Sequence, residues 1–354
     1  LRVLLIKTSS LGDVIHTLPA LTDAARAVPG IEFDWVVEEG FAEIPSWHPA
    51  VNAIIPVAIR RWRKSIWQTW RSGEWKRFKQ RLRDTPYDLV IDAQGLLKSA
   101  WLTRYSRSPV VGLDRDSARE PLASRFYKQG YAVPHGQHAV ERVRQLFAQA
   151  LGYEVPQTTG DYGLQRSRLV DAADAAPFVL FLHGTTWATK HWPELYWRQL
   201  AERLIAQGLQ VRLPWGNVVE RERAERIAEG LEQAQVLPKL NLAGVAKVLA
   251  QAQACVAVDT GLGHLAAAFD VPTLSLYGPT NPGLSGAYGK SQVHLAGDYP
   301  ACAPCMQKKC TYQPTPDDQA RLDLKREWPV CFTRLNPERV ASQLGALLLA
   351  KEAG

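Results

Sequence analysis

The chain has 354 residues, of which 46 % are hydrophobic and 22 % charged, and a formal net charge of +7. That length suits two domains, and the balance excludes a disordered or fibrous protein. No apolar run approaches the ~20 residues that span a bilayer, and no signal-peptide pattern opens the sequence, so a cytoplasmic location is expected. The charge is uneven. Between Arg60 and Arg83 ten Lys or Arg face one acid, Glu74, so this stretch carries +9 and the rest of the chain −2. A local anionic partner follows from that asymmetry.

In chain order, short apolar runs at 3–6, 33–37, 53–57, 89–91 and 110–113 read as strands. Between the first two, Val14, Ile15, Leu18, Leu21 and Ala25 recur near helical spacing, so a helix is expected over 13–28, stopping at Gly30. Residues 157–177 are polar and lack a long apolar run. The predicted boundaries are a domain over 1–160, a linker over 161–177, and a second domain over 178–335. The second half repeats the alternation, with strands at 178–182, 211–213, 255–258 and 273–276. Its helices are expected at 193–207 and 220–230. A closing apolar helix over 336–354 could pack back on the N-terminal domain. The expected class is α/β, two doubly wound parallel sheets with ligands outside the carboxyl ends of the strands and a cleft between the domains as the default site.

Four strand-to-helix junctions carry candidate chemistry. "KTSSLGDVIHTLPAL" (7–21) places Asp13 behind a glycine at the end of the first strand, with neither G-x-G-x-x-G nor G-x-x-x-x-G-K-[ST]. Asp13 reads either as an N-terminal cap of the following helix or as a general base. Both readings favour the ionised carboxylate, because a helix start stabilises negative charge. "CVAVDTGLGHLAAA" (255–268) puts Asp259, Thr260, Gly261 and His264 where free backbone N–H groups can meet an anion such as a diphosphate. "FLHGTTWATKHWPE" (181–194) offers Thr185, Thr186 and Lys190 to phosphate oxygens, or is simply a polar loop before a helix. Glu220 follows another strand, in "LPWGNVVERER", and reads as a ribose ligand or a favourable first-turn charge.

The basic segment, "IRRWRKSIWQTWRSGEWKRFKQRLRD" (59–84), interleaves Trp62, Trp67, Trp70 and Trp75 with its cations. A solvated helix face, a nucleic-acid surface and a contact with anionic lipid are the three readings. No RNA- or DNA-binding motif accompanies it. Cys302, Cys305, Cys310 and Cys331 have the spacing C-x2-C-x4-C-x20-C, which suits reduced thiols or, less well, a structural zinc; otherwise no metal is expected.

Taken together, "KTSSLGDVIHTLPALTDA", "FDWVVEEGFAEIPSWHPAV", "IPVAIRRWRK", "IDAQGLLKSA", "AREPLASRFY", "QHAVER", "KHWPE", "LPWG" and "VDTGLGHL" resemble the lipopolysaccharide heptosyltransferases of glycosyltransferase family 9. Stretches such as "AREPLAS" and "IPVAIRRWRK" are more similar to the type I than the type II branch, whereas the Cys302–Cys331 segment lies outside the matched stretches. The resemblance implies a GT-B fold of two Rossmann-like domains facing across a cleft. It implies metal-independent, inverting transfer of L-glycero-D-manno-heptose from ADP-heptose to the inner Kdo of Kdo2-lipid A. No cofactor would be needed, no nucleic acid would be a partner, and the protein would sit peripherally on the anionic cytoplasmic face of the inner membrane. By the same resemblance Asp13 is the base, and Gly12 keeps the loop small. Thr185, Thr186, Lys190, Asp259, Thr260, Gly261 and His264 hold the donor's diphosphate and heptose, with Lys190 also catalytic, and Glu220 holds the ribose. Arg60, Arg61, Arg63, Lys64, Lys98 and Arg119 face the acceptor. A type II-like acceptor, or a non-catalytic nucleotide-sugar-binding protein, is the alternative.

Overall fold

The computed structural model describes residues 1–170 and 176–352. It divides into two units, Leu1–Leu164 and Gln165–Gly354. The first unit carries β1 (Arg2–Ile6), β2 (Glu32–Glu38), β3 (Val51–Val57), β4 (Leu89–Asp92), β5 (Val110–Leu113) and β6 (Gln129–Tyr131). They form one sheet in the order β3-β2-β1-β4-β5-β6, and every pairing is parallel. The second unit carries β7 (Phe178–Leu182), β8 (Gln210–Leu213), β9 (Ala234–Val236), β10 (Ala254–Val258), β11 (Thr273–Tyr277) and β12 (Gln292–Ala296). Its order is β12-β11-β10-β7-β8-β9, again all parallel. Each sheet therefore reverses direction once, between β1 and β4 in the first unit and between β7 and β10 in the second. Ligands of doubly wound sheets bind outside the carboxyl ends of the strands at such a reversal.

The central strands are legible in the sequence because parallel strands covered on both faces become continuous apolar runs; β1, β7 and β10 are buried almost throughout. The edge strands β6 and β9 are three residues each and only partly buried, so their sequences carry no such run. The helix expected over 13–28 is two helices, Leu11–Ile15 and Leu18–Ala27. The break falls at Thr17, whose hydroxyl donates to the Asp13 carbonyl (2.9 Å), and Pro19 opens the second helix where its missing N–H costs nothing.

Of the linker expected over 161–177, residues 171–175 lie outside the described residues, as do the last two residues of the closing helix. Tyr162 is buried in the first unit and Asp161 pairs with Arg26. Arg166 instead donates to the Ala250 and Ala252 carbonyls of the second unit. The sequence leaves open a return of the closing helix (Pro337–Glu352) to the N-terminal domain. Its apolar face instead places Val340 and Leu344 in the core of the second unit, beside Trp197 and Leu200.

Both units hold a buried histidine that burial keeps neutral. His48, hydrogen-bonded to Thr22 (2.9 Å), is lowered to about 4, with Asp161 opposing the shift. His183 is lowered to about 3, burial being the largest cause. An unfolded histidine takes its proton near pH 6.5. Between that value and the folded values the unfolded state binds more protons, so stability falls as the pH drops. At pH 5 each should cost about 2 kcal/mol relative to neutral pH. Thermal unfolding at pH 7 and pH 5 measures the fall, and His48→Gln should flatten it; an unchanged slope would remove His48 as its source.

Candidate functional site

At the β1/β4 reversal the loop after β1 is held from beneath by Gln94, whose side-chain oxygen accepts from the Thr8 (3.0 Å) and Ser9 (3.2 Å) backbone N–H groups. Buried Asp92 fixes the partner loop after β4. It accepts from the Gln94 N–H (2.9 Å), the Ser99 hydroxyl (2.9 Å) and the Tyr127 hydroxyl (2.9 Å). On this frame Asp13 stands in the first turn of a short helix. Its carboxylate accepts from the Ser10 N–H (2.7 Å) and the Ser10 hydroxyl (2.8 Å). The N-cap residue is Ser10 rather than Asp13, which instead reaches back from the third helical position to complete a capping box, and Asp13 remains partly exposed.

Burial pushes the Asp13 carboxyl up, but the Lys7 charge, the two Ser10 hydrogen bonds and Arg119 together hold it below the ordinary aspartate value. Lys7 itself is buried, donates to the Ala93 carbonyl (2.8 Å), and is lowered by that burial against the opposing charges of Asp13 and Asp92. Lys98 donates to the Ser9 hydroxyl (2.9 Å) and is lowered by burial, while Glu38 and Asp13 raise it. Arg142, donating to the Ser117 carbonyl (2.7 Å), adds a further cation that acts on Lys7. Asp13 is thus an ionised carboxylate among Lys7, Lys98, Arg119 and Arg142, and Glu38 and Glu120 also lie close enough to act on Lys98.

The expected acceptor cations do not all belong to that cluster. Arg60 is close enough to Lys98 to lower it further. Arg63 and Lys98 line one cavity. Lys64 ends the helix Ile59–Lys64 and is exposed. Arg61 is spoken for: it pairs with Glu39 (3.0 Å) and Glu74 (2.9 Å), and those hydrogen bonds push its guanidinium further up. Glu74, the lone acid of the basic segment, also accepts from the Trp62 indole (2.8 Å).

At the β7/β10 reversal Lys190 pairs with Asp259 (2.7 Å), and Thr280 donates to the same carboxylate oxygen (2.8 Å). Thr185 donates to the Asp259 carbonyl (2.9 Å). Lys190 also lies 4.3 Å from the centroid of Trp187, which Lys308 flanks at 5.5 Å. His264 reaches the other Asp259 oxygen at 4.0 Å. Thr260 stands at the N-cap of the helix Gly261–Ala268 without a side-chain cap hydrogen bond. Glu220 closes on the Gly216 N–H (2.7 Å), and a Cβ on Gly184 would meet its carboxyl at 2.8 Å, so Glu220 lies against the Thr185 loop while serving its own helix start. Thr186 is exposed. Lys190, Thr185, Thr280 and the start of the helix Gly261–Ala268 thus gather a cation, hydroxyls and a helix N-terminus at this reversal, without a phosphate-loop motif.

Sequence reasoning missed Lys7, Gln94, Arg142, Thr280 and Trp187 as parts of these sites. Thr280 and Gln94 each follow a strand at its carboxyl end, which was the available signal. The four C-terminal cysteines are free and surround one small cavity with Thr189 and Tyr312. Among the described residues no group of three or more His, Cys, Asp or Glu is placed to hold a metal. Among the same residues no helix is long and apolar enough to cross a membrane.

The family model described as glycosyltransferase family 9 (heptosyltransferase) matches residues 75–315. The chain is 74 % identical to lipopolysaccharide heptosyltransferase 1 of Pseudomonas aeruginosa, over 99 % of each chain. It is similar to the solved E. coli heptosyltransferase WaaC with ADP, at 55 % identity and a TM-score of 0.80, covering 83 % of this chain and 92 % of that one. A second WaaC structure, with ADP-2-deoxy-2-fluoro heptose, matches at 53 % identity and a TM-score of 0.78, covering 84 % and 93 %. The two doubly wound units agree with a GT-B fold, and the chain belongs to glycosyltransferase family 9, the heptosyltransferases.

Proposed function

We propose that the chain is a type I lipopolysaccharide heptosyltransferase, moving L-glycero-D-manno-heptose from ADP-heptose to the inner Kdo of Kdo2-lipid A with inversion. The observation that carries the reaction is the 74 % identity over the whole chain to a relative of that type. The geometry supports the following roles. Inversion needs one base and one in-line approach, and Asp13 on the first unit is a partly exposed carboxylate among cations suited to an acidic acceptor. Held ionised, Asp13 is a weak base at rest; it takes the acceptor hydroxyl's proton late, when bond formation has made that proton acidic. On the second unit Lys190 and the start of the helix Gly261–Ala268 stabilise the departing diphosphate. Thr185, Thr186, Thr260, Gly261, Asp259 and His264 position the donor's diphosphate and heptose, and Glu220 its ribose. Arg60, Arg63, Lys64, Lys98 and Arg119 meet the acceptor's carboxylates and phosphates. That basic, tryptophan-bearing face would also bring the enzyme to the anionic cytoplasmic surface of the inner membrane as a peripheral protein.

The direct test is heptose transfer from ADP-heptose to Kdo2-lipid A, with the anomeric configuration of the product read by NMR. A retained configuration would overturn the single-base mechanism, and transfer only to heptosylated acceptors would move the chain to the type II reading. Transfer should persist in EDTA, since lysine and backbone N–H groups carry the diphosphate charge. Loss restored by a divalent ion would show a metal requirement.

The pairing of Arg61 sharpens the expectation for the basic segment. Arg60→Gln and Arg63→Gln should each raise the acceptor KM at least fivefold with little change in the ADP-heptose KM. Arg61→Gln should act less on the acceptor, because Glu39 and Glu74 already hold its charge. Equal losses for donor and acceptor would make the segment structural.

A further inference from the structure

The basic segment folds into three helices, Ile59–Lys64, Ile66–Arg71 and Glu74–Asp84, and their tryptophans are not all used in packing. Trp62 and Trp75 lean on the core cluster around Phe78 and Leu82, and Trp75 stacks flat on Trp101 with centroids 5.3 Å apart. Trp67 and Trp70 are 75 % and 74 % exposed, far beyond what packing needs. Between the helices and the start of Leu97–Thr103 lies a cavity of about 750 Å³ walled by Trp62, Trp70, Trp75, Trp101, Leu97 and Phe126. Its charged wall residues are Arg63 and Lys98, and Thr69 supplies a hydroxyl.

The volume is that of a ligand site. The lining decides which ligand. A sugar's several hydroxyls would find only Arg63, Lys98 and Thr69 on a wall that is otherwise mostly apolar and aromatic. A flexible hydrocarbon needs only apolar area, and the two cations suit a phosphate carried beside such a chain on an acidic lipid. Lys98 also donates to the Ser9 hydroxyl, beside the Ser10 that binds Asp13, so one side chain links the cavity wall to the Asp13 loop.

We infer that this cavity receives one fatty-acyl chain of the acceptor lipid while Arg63 and Lys98 meet its phosphate. The inference rests on the acceptor reading above and adds to it that the enzyme recognises the lipid as well as the sugar.

Two measurements test it. In the first, two monomeric Kdo-bearing acceptors are compared, one with a single octanoyl chain and one fully deacylated. The acylated acceptor should have at least a tenfold lower KM. Trp70→Glu, which puts a charge on the cavity wall and leaves Asp13, Arg63 and Lys98 in place, should abolish that advantage and leave the deacylated acceptor's KM and kcat unchanged. Equal KM values in the wild type, or equal loss for both acceptors in the variant, would overturn the inference. The second needs no turnover. A monomeric decyl phosphate brominated at its tail should quench tryptophan fluorescence saturably, with its midpoint shifted at least fivefold by Trp70→Glu. If neither acceptor is turned over, the acceptor reading fails by itself and saturable quenching still upholds an acyl site. Absence of quenching by the monomer, with quenching by vesicles of brominated phosphatidylglycerol, would overturn the cavity in favour of a bilayer contact.

Discussion

Replacing Asp13 by Asn is expected to lower kcat for heptose transfer by about 10³-fold while leaving ADP-heptose affinity within about threefold. That is about 4 kcal/mol of transition-state stabilisation. Asn is the informative replacement because Asp13 does two things. Its carboxylate accepts both Ser10 hydrogen bonds, and losing such a cap to Ala costs about 1 kcal/mol and disturbs the loop. The Asn side-chain oxygen can keep those bonds but cannot take a proton. An Asp13→Asn protein that melts like the wild type and does not turn over assigns the loss to proton transfer; near wild-type turnover would leave only the cap. The acid limb of the rate profile should lie below the ordinary aspartate value of about 3.9, because Lys7, Ser10 and Arg119 hold Asp13 down. The stability sign agrees. A depressed carboxyl stabilises the fold above its unfolded value, and that contribution is lost as the pH falls through the folded one.

How much of this is readable from the residues depends on whether the signal is local. Asp13, Lys190 and Asp259 each follow a buried apolar strand closely, so β1, β7 and β10 point at them. Lys7 is equally close in sequence, yet its importance comes from Ala93, Asp92 and Asp13, which only the β1–β4 pairing brings near. Thr280 reaches Asp259 from the neighbouring β11 end in the same way. Arg61 shows the reverse error. Composition counts every cation alike, and only the fold reveals that Glu39 and Glu74 have already claimed this one. The tryptophans of the basic segment are legible as a pattern, but not their division into core contacts at Trp62 and Trp75 and an open wall at Trp70. Periodicity describes one helix at a time, and a cavity is made by several.

Lys190→Ala should lower kcat by about 10²- to 10³-fold, with a smaller change in ADP affinity, because its charge is needed most when the diphosphate leaves. The competing account is structural. Lys190 and Asp259 form a largely buried pair at 2.7 Å, and removing one partner of such a pair destabilises by leaving a buried charge. The loss here is softened by Thr280, which keeps one hydrogen bond on Asp259. The two accounts separate in the double variant Lys190→Met/Asp259→Asn, which removes both charges and the cost of an unpaired one. Thermal stability should return toward wild type in the double variant under either account. If Lys190 only steadies Asp259, turnover returns to the level of Asp259→Asn alone. If Lys190 meets the leaving diphosphate, turnover stays at the level of Lys190→Ala, because restoring neutrality supplies nothing to the charge that develops on the donor. A rescued rate would therefore remove Lys190 from the chemistry and leave the start of the helix Gly261–Ala268 as the main support of the leaving group.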